Sequence, residues 1–232
     1  MNSGSSPQSQ VSAGIRAALP IVLGYLPVGI AFGVLARAAG LLFWEATAMS
    51  IFVYAGASQF IAVEMLAAGA AALPIIFTTF LVNLRHLLMS STLACHLGKQ
   101  PLKNTLAIAA ELTDESFGTL MCRLDFLADR PRFILSLQVT AHLAWVAGTV
   151  LGAAFGALID STSYGIPFAL PALFICLLVL QLKSRIHLLT MALAGFAALL
   201  FKALLPGSWY IILAAVLAAT AGLIFTRRQS AA

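Results

Sequence analysis

The chain has 232 residues, of which 61% are hydrophobic and only 9% charged, with a mean hydropathy of +1.00. Soluble domains carry about 25% charged residues, so a water-soluble globule is excluded and an integral membrane protein is indicated. The net charge of +5 comes from basic residues scattered over short connections, which excludes a nucleic-acid-binding surface. Apolar runs of helical length recur throughout, favouring a helix bundle over a β-barrel built of short alternating segments. The expected fold is all-α: a polytopic membrane helix bundle with about seven spanning helices plus one re-entrant or broken segment. Residues 1–12 read as a disordered polar tail without the basic and apolar regions of a secretory signal, and residues 13–228 as a single transmembrane domain. Cys95, Cys122 and Cys176 have no metal-ligand spacing and their odd number gives no disulfide framework, so all three read as small buried helix residues.

The first span, residues 17–36, is crowded by Pro20, Gly24, Pro27, Gly29 and Gly33. Neighbouring helices must support such a helix, and a kink with a groove of small residues is expected. The second run, residues 41–66, contains Tyr54-Ala55-Gly56-Ala57-Ser58-Gln59-Phe60. A phenol, a hydroxyl and an amide around a glycine can unwind a helix and still satisfy its freed backbone. Broken helices of this kind form binding sites at mid-membrane, and close packing of small residues is the alternative. Glu45 and Glu64 read as interfacial. The third span, residues 74–94, carries Asn83, Arg85 and His86 near its end; Asn83 and His86 share a face while Arg85 points about a quarter-turn away.

Residues 104–122 are long enough to cross but are interrupted by Glu111-Leu112-Thr113-Asp114-Glu115-Ser116. Each carboxylate would cost about 2.5–3.5 kcal/mol in lipid, so they must face protein, water or an interface. As helix, Glu111, Asp114 and Glu115 would form one acidic stripe at i, i+3 and i+4. After a charged loop, residues 133–159 span, with Gln138 and His142 on one face. Residues 166–182, 188–205 and 209–225 complete the set, with Trp209 and Tyr210 as an interfacial belt.

Basic residues favour the cytoplasm. Placing Lys99, Lys103, Arg123, Arg130, Arg132, Lys183, Arg185, Arg227 and Arg228 inside requires residues 104–122 to begin and end on one side, as a re-entrant or interfacial segment. The side of the N-terminus then depends on residues 41–66. A full crossing puts it outside, with Arg37 inside; a re-entrant hairpin puts it inside, with Arg16. The count of basic residues is equal in the two arrangements. Arg85 is the basic side chain deepest in a span, and the acidic segment, with Asp114 foremost, is its natural counter-charge.

The Tyr54–Phe60 stretch, Asn83-Leu84-Arg85-His86 and Leu112-Thr113-Asp114-Glu115-Ser116-Phe117, in this order and spacing, resemble the AzlC/YgaZ family. The likeness extends through Leu19-Pro20, Pro27, Phe32-Gly33 and Leu170-Pro171-Ala172-Leu173-Phe174. The resemblance implies export of branched-chain amino acids across the bacterial inner membrane, as the large subunit of a two-component exporter. It also implies a small AzlD/YgaH-type membrane subunit as partner. Where relatives also carry Asp at the head of the Arg-His motif, this chain has Asn83, which cannot relay a proton.

On physical grounds the substrate-binding candidates are Tyr54, Gly56, Ser58, Gln59, Asn83 and Asp114. The ion-pair or proton-coupling candidates are Arg85, His86, Glu111, Asp114 and Glu115. Backbone N–H groups freed after Gly56, with Ser58 and Gln59, suit a carboxylate. Asp114, with Glu115 behind it, suits an ammonium. No phosphate-binding glycine loop occurs, so the proton gradient is the expected driving force. No cofactor, metal site or catalytic residue is expected; an intramembrane enzyme lacks support in the scattered histidines and the absence of a nucleophile elbow.

Overall fold

The computed structural model describes residues 7–98, 100–123, 130–156, 168, 171–172, 175, 178–179, 182, 185–204, 213–214, 217–218 and 220–222. Lys99, Asp160, Cys176, Lys183, Trp209, Tyr210, Arg227 and Arg228 lie outside the described residues, as does most of the stretches 166–182 and 209–225. The structure falls into two compact units, Met1–Leu170 and Pro171–Ala232. Among the described residues, four helices are long and apolar enough to cross a membrane: Pro7–Ala38, Ala72–Ala94, Pro131–Phe155 and Ile186–Leu204.

The first unit contains α1 (Pro7–Ala38), α2 (Phe43–Phe52), α3 (Ala57–Ala67), α4 (Ala72–Ala94), α5 (Leu102–Ala110), α6 (Asp114–Met121) and α7 (Pro131–Phe155). The second contains α8 (Arg185–Leu204). Helix α1 includes residues 7–12, so the expected disordered tail is helical there. A helix already nucleated by the span extends at little cost. The turn after α1 closes through Gly40 at φ +93, with Leu41 N–H donating to the Ala36 carbonyl at 3.0 Å. A left-handed residue just beyond the helix end makes this a Schellman-type stop.

Helices α1 and α7 form the central packed pair. Both carry a Gly-x-x-x-Gly spacing, Gly29/Gly33 on α1 and Gly148/Gly152 on α7. A Cβ at Gly29 would lie 2.9 Å from the Trp145 carbonyl oxygen, one at Gly33 would strike the Thr149 carbonyl, and one at Gly152 that of Ile30. Between membrane helices, lipid supplies no hydrophobic drive, so close backbone approach through small residues is what holds the pair. Gly14 meets Leu137, Gly29 meets Gly148 and Gly33 meets Gly152. The order runs the same way on both helices, so α1 and α7 are parallel and begin on the same side. Pro20, Gly24 and Pro27 lie on the exposed face of α1, opposite this seam.

The run 41–66 does not cross. Helices α2 and α3 have 10 and 11 residues, against about 20 needed to span. Ser50 on α2 accepts a hydrogen bond from the Gln59 amide on α3 at 3.2 Å. Nine residues apart on one straight helix, they would be separated by about 13 Å. Tyr54 stacks on His142, halfway along α7, while Phe60 has returned to the level of Phe32, near the end of α1. The two helices are therefore the arms of a re-entrant hairpin that enters and leaves where α1 ends. Residues 102–121 form a second hairpin from the opposite side. Ile108 on α5 meets Gln138, Glu111 at the tip meets His142 one turn deeper, and Arg123 beyond α6 lies over Phe133 near the start of α7.

This arrangement decides the orientation that basic-residue counting leaves open. The N-terminal end of α1 shares a side with Lys103, Arg123, Arg130 and Arg132, so that side is the cytoplasm. Cys95 and Cys122 are exposed at the ends of α4 and α6, not buried within helices as the sequence suggests, because both helices stop one residue before them.

Two predictions follow from the hairpins and the glycine seam. Membrane-impermeant thiol reagents applied from the cytoplasmic side should modify Ser12→Cys, Cys95 and Cys122 together, and Ala68→Cys only from the opposite side. Opposite labelling of Ser12→Cys and Cys122 would defeat the hairpin topology. In detergent, Gly152→Ala should lower stability by about 1–3 kcal/mol, as overpacking does, whereas Gly24→Ala, with nothing within 4 Å of its Cβ, should leave the melting temperature unchanged or raised.

Candidate functional site

The tips of the two hairpins meet at mid-height against α1, α4 and α7. At the first tip, Tyr54 has φ +39 and Gly56 φ +35. A non-glycine residue held there costs about 1–3 kcal/mol and persists only where its surroundings fix it. The Tyr54 ring is fixed by stacking on the His142 imidazole at 3.9 Å and by an edge contact with Tyr25 at 6.5 Å.

Gln59 holds the break together. Its Oε1 accepts from the Ala55 N–H at 3.2 Å and from the Trp145 indole at 3.1 Å. From its amide nitrogen a one-way chain runs through the Ser50 hydroxyl (3.2 Å) and the Thr149 hydroxyl (2.8 Å) to the Trp145 carbonyl (3.0 Å). Ser58 donates to the Ala55 carbonyl, and the N–H groups of Ser58, Gln59 and Phe60 turn back onto the carbonyls of Ala55 and Gly56. Ser58 and Gln59 are at most 1% exposed. Their polar groups are spent on protein, so their part in the site is to shape the break.

At the second tip the helix stops at Ala110 and restarts at Asp114. Thr113 caps α6: its hydroxyl accepts from the Ser116 N–H at 3.3 Å, and the Ser116 hydroxyl accepts from the Thr113 N–H at 2.9 Å. Asp114 and Glu115 thus occupy the first turn, where a helix favours negative charge. The expected stripe of Glu111, Asp114 and Glu115 on one helical face does not form, because the N-cap separates Glu111 from the other two. Each carboxylate instead meets a different helix.

Asp114 Oδ2 lies 2.8 Å from Arg85 Nη1 of α4. Glu115 Oε2 accepts from the Tyr25 hydroxyl of α1 at 2.6 Å, and that hydroxyl also sits 2.9 Å from Thr113 Oγ1. Glu111 presents both oxygens to His142 Nδ1 of α7, at 3.1 and 2.9 Å, while His142 Nε2 lies 3.1 Å from the Ser50 carbonyl oxygen. The side chains of Arg85 and Asp114 remain 28% and 19% exposed. A pair so placed cannot be left to hydrocarbon and belongs to a path or a covered face. His86 is half-buried beside this pair, within coulombic reach of both partners.

Polar capacity is left over at the first tip and on α4: the Tyr54 hydroxyl, Asn83 Oδ1 and Arg85 Nε are buried without a hydrogen-bond partner. Buried polar groups are nearly always satisfied, so the unused Nε of the guanidinium that meets Asp114 leaves room for a further partner. Another orphan, Gln138 Oε1, belongs to the side chain whose amide nitrogen holds the Ile108 carbonyl at 2.9 Å. Tyr25, Ser50, Trp145 and Thr149 carry no signal in the sequence that sets them apart from other span residues. Only the i,i+4 spacing of Gln138 and His142 hinted that α7 turns a polar face to the second hairpin.

Comparison with known proteins agrees with the motifs. The profile described as AzlC protein matches residues 20–159. An uncharacterized membrane protein of Archaeoglobus fulgidus is 36% identical over 91% of this chain and 93% of its own length. The inner membrane protein YgaZ of Escherichia coli is 33% identical over 80% and 79%. The branched-chain amino acid transport protein AzlC of Bacillus subtilis is 30% identical over 94% and 87%. No solved structure matches the chain. With a profile covering more than half its length and relatives aligned almost end to end, this multi-pass membrane protein belongs to the AzlC family.

Proposed function

We propose that the chain is the large subunit of a two-component exporter that carries branched-chain and other neutral apolar amino acids across the bacterial inner (plasma) membrane, driven by the proton gradient. It is a transporter rather than an enzyme. The observation that carries this reading is the Arg85–Asp114 pair, closed at 2.8 Å at the break before α6, with the Nε of the same guanidinium left without a partner. A zwitterion has the complementary charges: its carboxylate takes the guanidinium and its ammonium the Asp114 carboxylate, so substrate replaces an ion pair without leaving an unpaired charge.

The freed N–H groups after Gly56, expected from the sequence to receive the carboxylate, are largely turned back onto Ala55 and Gly56. Arg85 therefore becomes the anion partner. Phe, Leu and Met side chains discriminate among apolar substrates by only about 1–3 kcal/mol per methylene, so selectivity is broad. The small AzlD/YgaH-type subunit is proposed as the partner, by analogy with the family.

Cells fed peptides rich in valine, leucine, isoleucine and methionine should accumulate these amino acids when the gene and its partner gene are deleted, and release them when both are restored; unchanged intracellular pools would remove the exporter reading. Asp114→Asn keeps the shape and removes the charge that meets the ammonium. A hydrogen bond to a charged group contributes about 1.5–3 kcal/mol, so apparent substrate affinity in proteoliposomes should fall about 10- to 100-fold, with Arg85→Gln comparably impaired.

A further inference from the structure

His142 touches both hairpins, through Ser50 and Tyr54 of the first and Glu111 of the second, and the geometry fixes what it must hold. Nε2 faces the Ser50 carbonyl oxygen at 3.1 Å. A carbonyl only accepts, so Nε2 carries a hydrogen. Nδ1 faces both carboxylate oxygens of Glu111, at 2.9 and 3.1 Å. With Nε2 protonated, a neutral imidazole offers a lone pair at Nδ1, and a lone pair against an ionised carboxylate is repulsive. The contact needs one proton inside it, on Nδ1 or on Glu111.

From this we infer that the Glu111–His142 contact is the binding site of the coupling proton, and that this proton latches the two re-entrant hairpins together. The inference rests on the proton-driven reading above and names its site. With the proton present, His142 joins the tip of the second hairpin to the Ser50 carbonyl of the first. When it leaves to water, from either atom, Glu111 is left as the carboxylate and Nδ1 with its lone pair, and the two groups separate. The first hairpin then loses one of its ties to the second. Glu111 and His142 are each partly exposed, at 25% and 17% of the side chain, so the contact is not sealed by the fold.

The surroundings are consistent with one exchangeable proton. From the α2–α3 break comes Tyr54, whose ring covers the imidazole, and behind it Tyr25 of α1. From α6 come Glu115, bonded to Tyr25, and Asp114, neutralised by Arg85 of α4. The other two carboxylates of this segment already have their own donors.

Spin labels at Trp44→Cys on α2 and Leu102→Cys on α5, both exposed positions, report the hairpin separation in the full chain with Cys95, Cys122 and Cys176 replaced by alanine. One narrow distance distribution is expected at acidic pH and a shifted or broadened one at alkaline pH. Glu111→Gln retains an amide N–H to donate to Nδ1 and should hold the acidic distribution at every pH. Glu115→Gln should leave the pH response intact. In proteoliposomes Glu111→Gln should bind leucine without moving protons. A distribution in the parent chain that ignores pH, or a Glu111→Gln variant that follows the parent, overturns the latch. Absence of leucine binding in the parent would instead overturn the exporter reading, since the distance measurement needs no substrate.

Discussion

Hydrocarbon offers no hydrogen bonds and no counter-charges, and the structure depends on that constraint throughout. A helix interrupted at mid-membrane exposes backbone groups that lipid cannot satisfy, and a carboxylate there is costly unless it is paired. This chain interrupts two helical segments and places three carboxylates at one of the breaks. Each interruption is satisfied by the same region: Gln59, Thr113 and Ser116 bond the freed backbone, while Arg85, Tyr25 and His142 take one carboxylate apiece. Neither hairpin could sit at that depth alone.

What brings the tips together is the α1–α7 pair. Its glycine seam lets the backbones approach closely, and its parallel direction places Tyr25 and His142 at the same height. The hairpins then enter from opposite faces and end against that height. Trp145 ties the pair to the first hairpin through its indole bond to Gln59 and its ring contacts with Tyr25, Phe32 and Phe60. The closely packed pair is the part against which both hairpins end. Short helices held by a few polar contacts belong to the low-stability end of a structure, where moving parts are found.

The division of labour within the polar district follows from who is already satisfied. Ser58 and Gln59 give their groups to the fold. Arg85, Asn83 and Tyr54 retain unused ones. On the proposed reading, the ion pair exchanges its partners for those of a zwitterion and the histidine–carboxylate contact holds the proton, so substrate and proton would have separate places on the second hairpin, Asp114 at the start of α6 and Glu111 just after α5.

Composition and long apolar runs were enough for the membrane class and the all-α architecture, because a helix satisfies its own backbone in a bilayer, and the three polar motifs stand out against those runs. The sequence also suggested Asp114 as counter-charge to Arg85, since few charges of either sign were available within the spans. It could not decide whether residues 41–66 cross, because length and basic-residue counts are the same in both arrangements. Nor could it separate Glu111 from Asp114 and Glu115: helical periodicity joins them, while the Thr113 cap, which depends on Ser116 turning back, breaks that periodicity. The importance of Tyr25 and His142 was invisible for the same kind of reason. A phenol or imidazole within an apolar helix looks the same in the sequence whether it packs against lipid-facing neighbours or meets a carboxylate from a hairpin about 90 or 30 residues away, and only the packing of α1 against α7 supplied that meeting.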